Sequence, residues 1–368
     1  MNVEVRPRPT LRSDAVSKPA IADCDIHPYP KDKALFRYLE PRWREHLETY
    51  GARARQGYLG GPAYPKGQPD AARRDAYPPD GGKPGSDLDF MRAQHLDPNN
   101  VALGILNPLR AGQGLQNLDL SAAICRAIND WQVAEWTSQE KRLKASVVVP
   151  YEDPVTSAAE IDRRAGDANF AQVLLLSRTA EPLGQRRYWP IYEAAERANL
   201  AVGIHAFGYG GYPVTGSGWP SFYLEEMVGH AQNTQALLTS MVIEGVFEKF
   251  PRLRVVLIES GFAWLAALMW RLDKVWSRLR GETPHLQRLP SEYIRSQVWV
   301  TTQPVEEPEP RRHLRDAIDW IGWDRLLFAT DYPHWDFDDP ARAFPLRMET
   351  AEREGLFLNN ARTVYGQA

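Results

Sequence analysis

Residues 170–206 read FAQVLLLSRTAEPLGQRRYWPIYEAAERANLAVGIHA. An apolar run over 170–176 leads through polar turn residues to a helical pattern over 188–199, and then to a second apolar run over 200–206. Neither run alternates strictly between apolar and polar residues, which is how a strand buried on both faces appears. The segment therefore predicts a strand, a helix and a strand. Runs of the same kind recur on either side, at 21–27 (IADCDIH), 101–106 (VALGIL), 143–149 (LKASVVV), 253–259 (LRVVLIE), 298–302 (VWVTT) and 325–330 (RLLFAT). Further helical patterns occupy 119–140, 153–165, 221–249, 262–280, 306–320 and 339–354, and Asp153-Pro154 places a proline in the first turn of one of them. Eight buried strands, most followed by a helix, fit a (β/α)8 barrel or a large doubly wound sheet. The count of eight, and the lack of a GxGxxG after the first strand, select the α/β TIM barrel.

Two stretches depart from plain barrel connections. Residues 51–86 are dense in glycine, proline and charge and read as an inserted loop, so the barrel is expected to be distorted. Residues 207–220 (FGYGGYPVTGSGWP) mix glycine with aromatics directly after the fifth strand, where barrels build their sites. Residues 1–19 read as a flexible tail ahead of a single domain over 20–368. The chain has 44 Lys plus Arg against 47 Asp plus Glu, a net charge of −3, which speaks against a nucleic-acid partner. No uncharged apolar run reaches the ~18 residues of a membrane span. The first residues lack the apolar core of an export signal, and two cysteines, Cys24 and Cys125, cannot build a disulfide framework. A cytoplasmic protein without a membrane partner is the expectation.

The ionisable residues collect at strand ends. Asp25 and His27 lie two apart on the first strand and so point to one face. His205 ends the fifth strand, Glu259 the sixth and Asp331 the eighth, with His334 three residues later. Buried carboxylates and imidazoles need a compensating charge, and one divalent metal ion supplies it. Without thiolates, Zn(II) is the default for hydrolytic work, and Mn(II) or Fe(II) also suit these donors. The G-x-x-x-x-G-K-[ST] spacing is absent from GGKPGS at 81–86, and GSGWP at 216–220 contains no serine elbow. His46, His95, His230, His285 and His313 read as surface residues, and Trp264, Trp270 and Trp276 as core.

Two stretches, FEKFPRLRVVLIESGFAWL at 247–265 and LFATDYPH at 327–334, resemble the amidohydrolase superfamily. The branch is the amidohydrolase-related one, which includes aminocarboxymuconate-semialdehyde and γ-resorcylate decarboxylases. The resemblance implies a distorted TIM barrel holding one divalent ion at the carboxyl ends of its strands. Carried over by position, it implies Asp25, His27, His205 and Asp331 as metal ligands, with Asp331 also moving a proton. Relatives of this kind are commonly dimers or tetramers. Together with the aromatic-rich loops and the long segments 31–50 and 262–296, that implies a homodimer. The decarboxylases carry His-Gly on the sixth strand where this chain has Glu259-Ser260.

That difference directs the expectation to a hydrolase of a small aromatic or cyclic acid, amide or lactone, working through a metal-activated water with Asp331 as base. Glu259 would orient water or serve as an auxiliary base. Tyr29, Phe207, Trp219 and Trp335 would wall the pocket, with His334 and Arg178 also reaching a small-molecule substrate, Arg178 through its carboxylate. A metal-dependent non-oxidative decarboxylase is the alternative reading. A metal-holding barrel that only binds ligands is the second.

Overall fold

The computed structural model describes residues 18–51, 71–109, 111–206 and 212–366. Most of the predicted tail, the first part of the predicted insertion and Phe207 lie outside the described residues. Eight strands form: β1 (Ile21–Ile26), β2 (Val101–Leu106), β3 (Leu143–Val148), β4 (Phe170–Leu176), β5 (Ala201–His205), β6 (Val255–Ile258), β7 (Val298–Thr301) and β8 (Leu326–Leu327). Each pairs in parallel with the next, in the order β1 to β8. The seam between the last strand and the first is closed by backbone hydrogen bonds. Cys24 N donates to Phe328 O at 3.0 Å and His27 N to Tyr332 O at 2.8 Å. The fold is a TIM barrel.

A helix covers the outside after six of the strands: α1 (Leu118–Gln132), α2 (Pro154–Arg164), α3 (Trp189–Arg197), α4 (Tyr223–Ile243), α5 (Trp264–Leu279) and α6 (Arg312–Ile321). Local chemistry sets their starts. Asn117 accepts the Leu120 amide at 3.1 Å, and Asp153, ahead of Pro154, accepts that of Thr156 at 3.2 Å, each satisfying an otherwise orphaned N–H. One apolar layer lies between sheet and helices and includes Val173, Leu175, Ile204, Tyr192 and Met241. A second fills the barrel with Ile105, Val256, Ile258, Leu327 and Ala329. It is closed by Val364 and Tyr365 of the last helix, α7 (Asn360–Tyr365).

Several predicted helices are shorter than their patterns. Only Thr350–Glu354 of 339–354 is helical, because Pro340 and Pro345 interrupt the stretch, and α6 begins after Pro308 and Pro310. The 221–249 pattern breaks at Gly245, whose φ of 85° ends one helix and starts a short second one. Trp270 is not core: it is 51% exposed and lies edge-on to Trp320. Tyr50, Trp270, Leu279 and Leu289 are the exposed large apolar residues of segments 31–50 and 262–296. Among the described residues no helix is long and apolar enough to cross a membrane.

The described end of the insertion folds back over the eighth-strand loop, with Trp335 N donating to Ala71 O and Arg73 N to Pro333 O. Gly85 carries it past β1, where Tyr29 N donates to Gly85 O at 2.8 Å. Its φ is 75°, and a Cβ there would stand 2.2 Å from the carbonyl oxygen of His27. Gly85→Ala should therefore lower stability by about 1–3 kcal/mol, read as a shifted urea midpoint with an unchanged slope.

Candidate metal centre at the carboxyl end of the barrel

The strand ends bring Asp25, His27, His205 and Glu259 together, all buried, with one donor atom of each within 4.8 Å of the others. Ligands held ~2.1 Å from one ion stand roughly 3–4 Å apart, so this spacing suits a shared cation. His27 Nε2 lies 3.2 Å from Asp25 Oδ1, and His205 Nε2 lies 3.5 Å from Asp25 Oδ2 and 3.0 Å from Glu259 Oε2. Asp25 Oδ2 and Glu259 Oε2 accept no well-directed hydrogen bond among the described residues, although both are buried. Buried acceptors left in this way need a cation or a proton between them. The donor set fits a divalent ion.

Asn107, at the end of β2, orients two of these donors. Its carbonyl oxygen accepts from His27 Nδ1 at 2.7 Å, which turns Nε2 inward, and its side-chain Nδ2 donates to Asp25 Oδ1 at 2.8 Å. Its Oδ1 in turn accepts from Ser146 Oγ and Gln172 Nε2, so the amide is locked by two neighbouring strands.

Asp331 shares His27 with this group and forms a second close set with His27 and His334. Its Oδ1 receives His27 Nε2 at 2.7 Å and His334 Nδ1 at 2.6 Å, and the His27 and His334 rings stack at 4.4 Å. Its Oδ2 accepts from Gln303 Nε2 at 3.4 Å, and the same nitrogen donates to Asp336 Oδ2 at 3.1 Å. Glu259, Asp331 and Asp336 are mutually close. Glu259, expected as an orienting residue, is thus also placed among the close donors. Both carboxylates leave their strands with positive φ, 55° at Glu259 and 62° at Asp331, an uncommon backbone state for residues with side chains.

The charges divide the cluster in two. Burial would raise Asp25 and Glu259, but the facing imidazoles outweigh it and hold both below the usual carboxylate range. Burial lowers His205, and Asp25 with Glu259 overturns that and brings it up to about 9; His27 is raised likewise. On the other side, burial and the Glu259 carboxylate push Asp331 well up, and burial with Asp331 lifts Asp336 to about 8. Burial and the neighbouring His27 press His334 down to about 3.

Trp335 and Trp219 are partly exposed, and Trp335 Nε1 donates to Tyr223 OH at 3.3 Å. Tyr29 follows β1 beside Gly85. Arg178, at the end of β4, is buried and pairs with Glu226 of α4 at 2.7 Å. Two histidines read as surface are buried. His230 lies on α4, where burial brings it down to about 4, and His95 bonds to Asp23 at 2.7 Å. Helical periodicity alone did not distinguish them from exposed residues. Asn107 and Asp336 were not singled out from the sequence, although they are polar residues closing a strand and a strand-end loop.

The amidohydrolase family profile matches residues 22–367, and the chain belongs to that family. Among curated proteins it is similar to γ-resorcylate decarboxylase of Rhizobium sp. (strain MTP-10005), at 25% identity over 299 residues, covering 76% of this chain and 87% of that one. The structure is similar to 2,6-dihydroxybenzoate decarboxylase in complex with 2,6-dihydroxybenzoate, with a TM-score of 0.67 and 20% identity over 94% of this chain and 99% of that one. It is also similar to 5-carboxyvanillate decarboxylase from Novosphingobium aromaticivorans with manganese and 4-hydroxy-3-methoxy-5-nitrobenzoic acid, with a TM-score of 0.69 and 20% identity over 94% and 96% of the two chains. These likenesses establish the same barrel.

Two outcomes follow from the geometry. His205→Ala should lower divalent-metal content after reconstitution to below ~0.2 equivalents, because the remaining buried carboxylates lose a neutral donor; metal analysis of dialysed protein reads this. Asp338, next in line behind Asp336, is lifted to about 7 by burial and then by Asp336. Its stabilising contribution is complete below the unfolded value of ~3.9 and is lost as pH rises through about 7. Asp338→Asn should therefore flatten the decline in the urea midpoint of metal-free protein across that window.

Proposed function

We propose that the protein is a divalent-metal-dependent, non-oxidative decarboxylase of a small hydroxylated aromatic acid. The observation that carries this is a buried Asp331 at the edge of the donor group and close to Asp336, where burial and the neighbouring carboxylates favour a carboxyl that retains a proton to give. The relatives named above, which are carboxy-lyases by name, support the same reading. The hydrolytic reading finds no such support, and Glu259 in place of a histidine is accounted for by its place among the metal donors.

Asp25, His27, His205 and Glu259 would hold the ion, which when bound supplies positive charge to fix the anionic oxygens of the substrate. Two imidazoles and two carboxylates accommodate Mn(II) as well as Zn(II), and manganese is the ion named with the Novosphingobium decarboxylase. Asp331 gives a proton to the ring carbon that bears the carboxylate. The bond from that carbon to the carboxyl carbon then breaks, its electron pair restores the aromatic ring, and carbon dioxide leaves. Water returns the proton to Asp331. His334 keeps the reacting carboxyl of Asp331 in place, while Trp335 with Tyr223 and Trp219 offer flat apolar walls at the mouth of the site.

The test is incubation of Mn(II)-reconstituted protein with 2,6-dihydroxybenzoate, 5-carboxyvanillate and other hydroxybenzoates, following carbon dioxide and the aromatic product. In D2O the product should carry one deuterium at the former carboxyl position. Asp331→Asn should retain metal while turnover falls by about 10²–10⁴. Cleavage of anilides or lactones with no carbon dioxide from any acid would restore the hydrolase. Tight metal with no turnover of either class would leave a ligand-binding barrel.

A further inference from the structure

On the helix-facing side of β1, behind the donor group, lies a second buried polar cluster of Asp23, His95 and Thr330. Ala22 and Cys24 pack with the barrel interior, and the ladder of β1 shifts register between Asp23 and Ile26. The shift sends Asp23 outward while Asp25 and His27 face in. Asp23 Oδ1 accepts the Thr330 amide at 2.9 Å and the Asp25 amide at 3.2 Å. Its Oδ2 accepts Thr330 Oγ1 at 2.6 Å and His95 Nε2 at 2.7 Å. Asn99 Nδ2 donates to His95 Nδ1 at 3.2 Å, so the ring proton sits on Nε2 and His95 donates to Asp23. Thr330 Oγ1 also accepts the Tyr332 amide at 3.2 Å, and the Tyr332 ring stacks on His95 at 4.6 Å, with the ring planes nearly parallel.

One carboxylate therefore ties down the amide of Asp25 and the amide preceding Asp331, and through Thr330 the amide following Asp331. Asp331 is the residue held at a φ of 62°. We infer that Asp23 and His95 are positioning residues for the metal centre, fixing Asp25 and Asp331 in relation to each other across the closing seam of the barrel. The inference rests on the metal-centre reading above. A carboxylate offers about four acceptor positions, and here all four are taken, which fixes its rotation. Removing the His95 donor frees that rotation, and the effect reaches both strand ends through hydrogen bonds alone.

The experiment uses full-length protein loaded with Co(II), whose visible d–d absorption reports the coordination geometry, with affinity measured by chelator competition. His95→Phe retains a flat ring against Tyr332 but removes the donor. Thr330→Val, close to isosteric, removes the other side-chain donor to Asp23 and serves where the first variant does not fold. Either should weaken Co(II) binding by about 10–100-fold and alter the d–d band, and His95→Gln, which can still donate, should recover both. A wild-type band and affinity in folded His95→Phe or Thr330→Val, even with a lowered melting temperature, would reduce the cluster to a structural staple and overturn the inference. Wild-type protein that takes up no Co(II) would instead bring down the metal-centre reading, and this inference with it.

Discussion

Asp25 and Glu259 are carboxylates placed out of water at the end of the barrel, with His205 between them and His27 beside Asp25. Burying such groups costs several kcal/mol each unless an opposite charge meets them. Most other features of the rim answer to that demand. The imidazoles are drawn towards holding protons, Asn107 aims one carboxylate and one ring, and Ser146 and Gln172 hold Asn107 in turn. A divalent cation meets the same demand with one particle, which is why a group of this composition reads as a metal centre and not as a buried salt bridge.

The backbone is bent to serve this arrangement. Glu259 and Asp331 both occupy the left-handed region at the points where β6 and β8 give way to loops. That conformation costs on the order of 1 kcal/mol or more for a residue with a Cβ, and the surroundings must hold it. Around Glu259 the hold comes from Thr301, whose Oγ1 accepts the Glu259 amide at 3.1 Å, and from Glu306, whose Oε1 accepts the amides of Phe262 and Ala263 just past Gly261 at φ 64°. Around Asp331 it comes from Asp23 and Thr330. Two loops that end different strands are thus fixed by carboxylates reaching in from elements far away in sequence.

The barrel was legible because buried parallel strands leave continuous apolar runs, and the donors were legible because strand ends such as the Asp25-x-His27 pair carry polar residues that a core does not tolerate. What escaped the sequence has specific causes. Simple alternation puts Asp23 on the face of Asp25 and His27, and only the register shift in β1 separates them. A local irregularity of this kind leaves no mark in residue types. His95 sits on a π-helical turn of five residues, too short for periodicity to show which side is buried. Glu259's closeness to His205 and Asp25 was hidden because Glu259 and Asp331 end strands with the same backbone state, and only side-chain directions set them apart.

Charge also bears on which proton transfer the site supports. With both imidazoles neutral, Asp25 and Glu259 together balance the two positive charges of one divalent ion. Asp331 and Asp336 then remain, buried and mutually close, with no cation left to them. Two neighbouring carboxyls in that position cannot both be ionised without a large penalty, so the pair retains a proton. A carboxylate substrate brings one more negative charge and tightens that hold. A hydrolase needs Asp331 ionised, as a base ready to take a proton. A decarboxylase needs it protonated, as an acid facing an anion. Under the proposed function, the charge balance of this rim suits the acid, with Glu259 close to Asp25, His27 and His205 and Asp331 close to Asp336.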